Sequence, residues 1–240
     1  MKVVISQSMY FPWVGFLEQL RLADVFVLFD DVQFSKGSFT NRVQIKTAEG
    51  PQWLSVPLCS LRLGQRINEV KLDERRDWRT KHRDQLSQAY RKAPFVTDML
   101  ALVDEVFAKP AVTLSQVAWT STLALADYFG FASHLRLYDS ASMAIDGSSS
   151  QRVLEIVRNL GGSIYITGHG ARNYLNHISF EKIGVDVRYM DYRCEPYVQL
   201  HGEFTPYVSA LDLVANCGRD GRRYIQSSTN SWKVFTNEST

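Results

Sequence analysis

Asp30 and Asp31 stand side by side after the apolar run Val25–Phe29, a poor place for idle charge. Paired carboxylates can hold a metal, or one can act as a base when crowding raises its pKa. Asp31 is therefore a candidate base and Asp30 a candidate substrate contact; the competing reading is a strand-end turn with one Asp capping backbone amides. Gln7-Ser8-Met9-Tyr10-Phe11-Pro12-Trp13 likewise leaves a short apolar run, Lys2–Ser6. Gln7 can hydrogen-bond a ligand, and Tyr10 or Trp13 can supply a stacking face, unless the aromatics simply plug the end of a sheet. Asn41-Arg42 and Lys46 come next. Arg42 and Lys46 are four residues apart, so on a strand they share a face and suit a phosphate or carboxylate. Against this stands a solvated face, or an Arg42 that pairs with Asp30 or Asp31.

Further along, Thr167-Gly168-His169-Gly170-Ala171-Arg172 follows an apolar run. Gly168 and Gly170 would let backbone amides approach an anion, and His169 is a candidate acid or base. The stretch has neither a Walker nor a dinucleotide pattern, and a plain tight turn competes with the anion site. Tyr197, Gln199, His201, Glu203 and Phe204 alternate polar and aromatic residues, as a loop lining a site or an exposed strand would. His201 is a second candidate base, with no partner at zinc-ligand spacing. Cys59, Cys194 and Cys217 form no Cys-x-x-Cys pair, and their odd number argues against a disulfide framework or a metal centre. Cys59 and Cys217 read as buried small hydrophobes.

The elements that must position these groups follow from apolar spacing. Lys2–Ser6 reads as a strand, Gly15–Ala23 as a helix and Asp24–Phe29 as a second strand, the first step of a doubly wound sheet. Arg42–Lys46 and Trp53–Pro57 alternate as a hairpin, with Ile67–Leu72 as a third strand. Residues of about 77–130 form a helical insertion: Trp78, His82 and Leu86 at helical spacing before Pro94, then Phe95 to Val106, then a helix opened by the capping box Thr113–Gln116. Strands return at His134–Tyr138, Ser163–Thr167 and Val185–Met190, with helices at Ser149–Leu160 and Pro206–Asn216. The tail from Ser227 is polar and reads as frayed, unless Trp232 and Phe235 dock it. The expected fold is one α/β domain over 1–240, a mostly parallel doubly wound sheet with a hairpin region and a helical insertion. Strand ends then share a rim, which predicts that the Gln7 loop, Asp30-Asp31 and Arg42 line one cleft.

With 27 basic and 25 acidic side chains the formal net charge is only +2, too balanced to point to nucleic acid. The N-terminal apolar run is too short for a signal peptide, and no stretch approaches the ~20 residues of a membrane span. A cytoplasmic protein acting on a small molecule is expected.

The Gln7–Gly15 opening resembles the pattern of the WbqC-like family, usually Gln-Pro-x-Tyr-hydrophobic-Pro-Trp-x-Gly, with Ser8 in place of the Pro. The likeness continues through Ala23–Phe34, Asn41-Arg42 with Ile45-Lys46, and Trp53–Pro57. It extends through Trp78 with His82, Tyr90–Pro94, Tyr165–Gly168, Tyr174-Leu175 and Phe204 to Gly218. Tyr174 joins the candidate substrate contacts on this ground. The resemblance implies a part in bacterial surface-glycan synthesis of O-antigen type and an acyl or aminoacyl, glycyl-type, transferase acting on a nucleotide-linked amino sugar. Such a reaction needs a base at the amine and an activated acyl or aminoacyl donor, for which a loaded carrier protein is one source, but names no further cofactor. Two alternatives stand beside it. One is a nucleotide-using enzyme that makes its own activated intermediate, although no His-x-x-His follows the first strand. The other is a non-catalytic module that scaffolds glycan assembly.

Overall fold

The computed structural model describes residues 1–237. Strands β1 (Lys2–Ser6), β2 (Val25–Leu28), β5 (Arg136–Asp139), β6 (Ile164–Thr167), β7 (Asp186–Asp191) and β8 (Ser228–Ser231) form one sheet in the order β5-β2-β1-β6-β7-β8. All neighbours are parallel except β7 and β8. The central strands read as continuous apolar runs because both of their faces are covered. Val4, Phe26 and Ile166 face one core, with helix α1 (Val14–Leu22) and the helical insertion. Val3, Ile5, Val25, Val27, Tyr165 and Val187 face the other, under α5 (Ser149–Asn159) and α6 (His177–Lys182).

The insertion holds α2 (Trp78–Tyr90), α3 (Val96–Ala108) and α4 (Leu114–Tyr128), within the bounds that the spacing predicted. Thr113 and Gln116 close the expected capping box at α4. A separate ribbon pairs β3 (Arg42–Thr47) with β4 (Gly50–Ser55), and α7 (Ala210–Cys217) packs beside α3.

Three expectations change. Ile67–Leu72 is not a strand: Ile67–Glu69 forms a 3-10 turn in which the Arg66 amide donates to Glu69 Oε2 (3.2 Å) and the Glu69 amide to the Arg66 carbonyl (3.0 Å), and only single bridges, Leu58 to Leu72 and Lys71 to Thr113, touch the segment. Its amides are spent singly on separate partners, Ile67 on the Val32 carbonyl, Asn68 on the Asp30 carbonyl and Leu72 on the Val112 carbonyl, so no continuous ladder forms. The second hairpin strand, expected over Trp53–Pro57, is β4 at Gly50–Ser55, with Pro51 on an edge where its missing N–H costs no bond. Over its described residues, 227–237, the tail does not fray but docks through Trp232 and Phe235, the alternative weighed from the sequence. It adds β8 to the sheet and ends in α8 (Trp232–Asn237), with Trp232 stacked on His177 and Phe235 on Tyr189.

Candidate functional site

The chain runs from β1 to β2 on one side, whereas β6, entered after the insertion and α5, lies on the other side of β1 and leads to β7 and β8. The winding therefore reverses between β1 and β6. At such a switch point the connections leave in opposite directions and open a crevice beyond the strands' carboxyl ends, where open α/β sheets bind ligands. A cleft of about 620 Å³ lies there. Its walls are the segment after β1 (Gln7, Ser8, Met9, Trp13), the segment after β6 (Thr167, Gly168, Gly170, Tyr174), Phe16 and Gln19 of α1, Ser38 to Thr40, and Ser149 at the start of α5.

Several bonds fix the Gln7 loop. The Ser8 amide donates to Asp30 Oδ1 (2.8 Å), the Tyr10 amide to the Thr40 carbonyl (3.2 Å) and the Phe11 amide to Ser121 Oγ (2.8 Å). Ser209 Oγ donates to the Phe11 carbonyl (2.8 Å), and Phe11 takes the left-handed φ of 39° that this tie demands. Trp13 stands edge-on to Tyr192 and Tyr207, centroids 5.6 and 5.3 Å away. Its ring lies where a side chain on Gly15 would be, within 2.1 Å of a built Cβ, so only glycine permits this pose. Gln7, Trp13, Gly168, Gly170 and Tyr174 all stand on the cleft wall, but the expected cleft shared by the Gln7 loop, Asp30-Asp31 and Arg42 does not form, because neither aspartate nor Arg42 lines it.

The other expected site residues stand elsewhere. Tyr10 is fully buried and offers no stacking face: its hydroxyl meets His82 Nδ1 at 2.9 Å and its ring packs on Phe11 and Trp78. Asp30 is 1% exposed and accepts from Ser8 N and Ser115 Oγ, tying β2 to the loop and to α4. Burial pushes its carboxyl above the usual range against those hydrogen bonds. Asp31 faces a different hollow and forms an ion pair with Arg152 and accepts from Ser140 Oγ (2.5 Å). Burial would raise its pKa, but Arg152 and Ser140 outweigh it, so the carboxyl is held low, which suits an anchor rather than a base at neutral pH.

Arg42 pairs with neither aspartate. It donates to the Gly37 carbonyl (2.6 Å) and lies over the Trp53 ring, so it braces the loop whose Ser38, Phe39 and Thr40 line the cleft without lining it itself. Asn41 bonds across the ribbon to the Val56 carbonyl (3.3 Å). Lys46 is 3% exposed, with Nζ donating to Gln199 Oε1 (3.1 Å) and to the carbonyls of Gly202 and Glu203. Arg42 and Lys46 are roughly 13 Å apart along β3 at the usual strand rise, and they serve different loops, so they do not clamp one phosphate. His169 turns Nε2 to the Met190 carbonyl (2.8 Å) and His201 to the Ala89 carbonyl (2.8 Å), so both candidate bases lie off the cleft wall. Cys59 is exposed and Cys217 only partly buried, contrary to the expected buried pair. Among the described residues no three His, Cys, Asp or Glu side chains come together to hold a metal.

Gln19, Ser38 to Thr40 and Ser149 were missed in the sequence. A polar Gln19 among Phe16, Leu17 and Leu20 was a signal on α1. Ser149, at the start of the helix that crosses to the switch strand, was another.

The buried Tyr10–His82 contact carries a pH prediction. Burial pushes the His82 imidazole down to about 4, opposed by a smaller hydrogen-bond contribution at Ser55. Between pH 6.5 and 4 the unfolded chain then binds a proton that the folded chain does not, so stability falls as the pH falls through that window. At about 1.4 kcal/mol per pH unit the loss attributable to His82 is about 3 kcal/mol. Urea unfolding at pH 7 and pH 4 should show this for the native chain and much less of it in His82→Gln, whose amide still accepts from Tyr10. Equal acid losses in both proteins would contradict it.

Comparison with known proteins adds the decisive observation: residues 7–224 match the sequence profile described as the WbqC-like protein family. The chain belongs to the WbqC-like family. A family relative, the "Uncharacterized protein Rv1507c" of Mycobacterium tuberculosis (strain ATCC 25618 / H37Rv), is 30% identical over 228 residues, 94% of this chain and 97% of its own length. No solved structure matches. The matched span of the WbqC-like chain includes every residue that lines the cleft except Ile5 and Ser6 at the end of β1. Among its described residues no helix is long and apolar enough to cross a membrane.

Proposed function

We propose that this WbqC-like protein works in the cytoplasm in surface-glycan synthesis, where its β1–β6 cleft binds a nucleotide-linked amino sugar. The supporting observation is the cleft's composition. Gln7, Gln19, Ser38, Thr40, Thr167 and Tyr174 are neutral hydrogen-bonding groups beside the Trp13 ring, a lining suited to sugar hydroxyls and to the apolar face of a pyranose. Burial raises the Tyr174 pKa, so its phenol stays a hydrogen-bond donor at neutral pH. Ser149 opens α5 into the cleft, and the amides at that helix start, together with the Gly168–Gly170 segment, favour the diphosphate. Transfer of an acyl or aminoacyl group, from an activated donor such as a loaded carrier protein, to the sugar amine is the reaction that fits this substrate.

A second reading, binding without chemistry, is favoured by one observation. No described residue on the cleft wall carries a carboxylate, imidazole or ammonium group to take the amine's proton. Calorimetry with UDP-glucosamine tests the shared part of both readings. Binding is expected, weakened roughly three- to ten-fold in Gln7→Ala, the range for one lost neutral hydrogen bond. No binding by the native chain would overturn both. Mass spectrometry of the same sugar nucleotide after incubation with an aminoacyl-loaded carrier separates them, since only transfer adds an aminoacyl mass.

A further inference from the structure

A second concavity, of about 800 Å³, lies at the opposite edge of the sheet. Helix α1 carries the chain from its N-cap Trp13 on the cleft wall to Arg21, roughly 12 Å away at the helical rise per residue. Arg21 therefore stands near the entry to β2, while Phe131 and His134 precede β5, so the hollow sits at the strands' amino ends. Its rim is the 3-10 segment Gly218–Tyr224, which brings in Arg219, Arg222 and Arg223.

These three arginines are exposed, and none forms an ion pair among the described residues. Aromatic rings hold them instead. Arg219 lies over Tyr128 (4.8 Å), Arg222 over Phe131 (5.0 Å) and Arg223 over Tyr224 (4.9 Å). Arg219 also donates to the Tyr128 carbonyl and Arg223 to the Tyr224 hydroxyl. Stacking on a ring fixes the plane of a guanidinium and leaves most of its N–H edge free. Arg21 is already matched by Glu18, and Asp220 is the one carboxylate on the wall. A chain whose whole formal charge is +2 thus gathers three unpaired guanidinium groups round one hollow. Their mutual repulsion is relieved by an anion of two or more charges. The hollow has the size of a small-ligand site.

We infer that this hollow is an anion site for a small polyphosphate, bound through Arg219, Arg222 and Arg223 by charge-assisted and bidentate hydrogen bonds. It is separate from the β1–β6 cleft and does not depend on what that cleft binds. Inorganic pyrophosphate is the probe, with inorganic phosphate and UDP as further arms, each titrated into the full chain by calorimetry at low and at physiological salt. Pyrophosphate should bind more tightly than phosphate at both salt concentrations. UDP binding through its diphosphate alone should match pyrophosphate. Arg223→Gln and Arg219→Gln, at exposed positions, should each weaken pyrophosphate binding about ten-fold, and the two together more, with unchanged melting temperature. Gln7→Ala at the cleft should leave pyrophosphate binding as it is. No pyrophosphate binding by the native chain, or affinity untouched by the arginine changes, would overturn the site. So would binding of an acidic protein across the patch with pyrophosphate failing to compete.

Discussion

Replacing Arg152 by Ala is expected to destabilise the fold by about 3–5 kcal/mol, because it leaves the Asp31 carboxylate buried without its cation. Both side chains are about nine-tenths covered, and the Arg152 guanidinium also donates to the Ile145 carbonyl (3.0 Å) and lies over the Phe29 ring. For a chain of this length the melting temperature should drop on the order of 10 °C. The sign with pH is fixed by the same geometry. In the native chain Arg152 holds the Asp31 pKa low, so the pair's contribution is full above the ordinary carboxylate range and is lost as the pH falls through the lowered value. In Arg152→Ala the burial that remains favours the neutral carboxyl, so the gap between variant and native should narrow in acid. Asp31→Asn/Arg152→Met, which removes both charges, should recover much of the loss. A melting temperature within 2 °C or so of the native value in the single variant would show that the pair carries little.

The second large effect is expected at Lys46. Its ammonium is the shared donor for Gln199, Gly202 and Glu203 in the long segment between β7 and α7. It also lies close enough to the fully buried Asp212 to oppose, along with hydrogen bonds from Tyr197, Tyr90 and Gln199, the rise that burial forces on that carboxyl. Lys46→Met keeps the aliphatic stem and removes the charge. A loss of at least about 3 kcal/mol is expected from denaturant unfolding, since three hydrogen bonds from a charged group go. Limited proteolysis should also find new cleavage near residues 199–205. A stability change below about 1 kcal/mol would place Lys46 among idle surface lysines, against its burial.

The parallel part of the sheet was legible because its central strands are short apolar runs punctuated by glycine, proline and capping residues, signals that act locally, whereas the polar β8 gave no such signal. Lys2–Ser6, the capping box at Thr113 and the helix from Ser149 are cases in point. Ile67–Leu72 carries the same apolar alternation, but the Arg66–Glu69 cap wins over a ladder that has no neighbouring strand. The site was legible in part. Topology alone places the segments after β1 and β6 on one rim, and Gln7, Trp13 and Gly168 meet there. Residue type misled where a charge was read as free. Asp30, Asp31 and Lys46 each have a partner distant in sequence, Ser115, Arg152 and Gln199, and no local pattern announces such pairs. Arg219, Arg222 and Arg223 were overlooked for the converse reason: that they form no ion pair among the described residues, with Asp220 the one carboxylate on their hollow, is visible only in the folded chain.

The central claim is that the crevice between β1 and β6 is where this WbqC-like chain holds its sugar. Its most direct test is a crystal structure with UDP-glucosamine. The expected result is the sugar ring against Trp13, within hydrogen-bond reach of Gln7, and the diphosphate toward Gly168, Gly170 and the start of α5. Well-ordered ligand at another surface, with that crevice filled only by solvent, would contradict the claim.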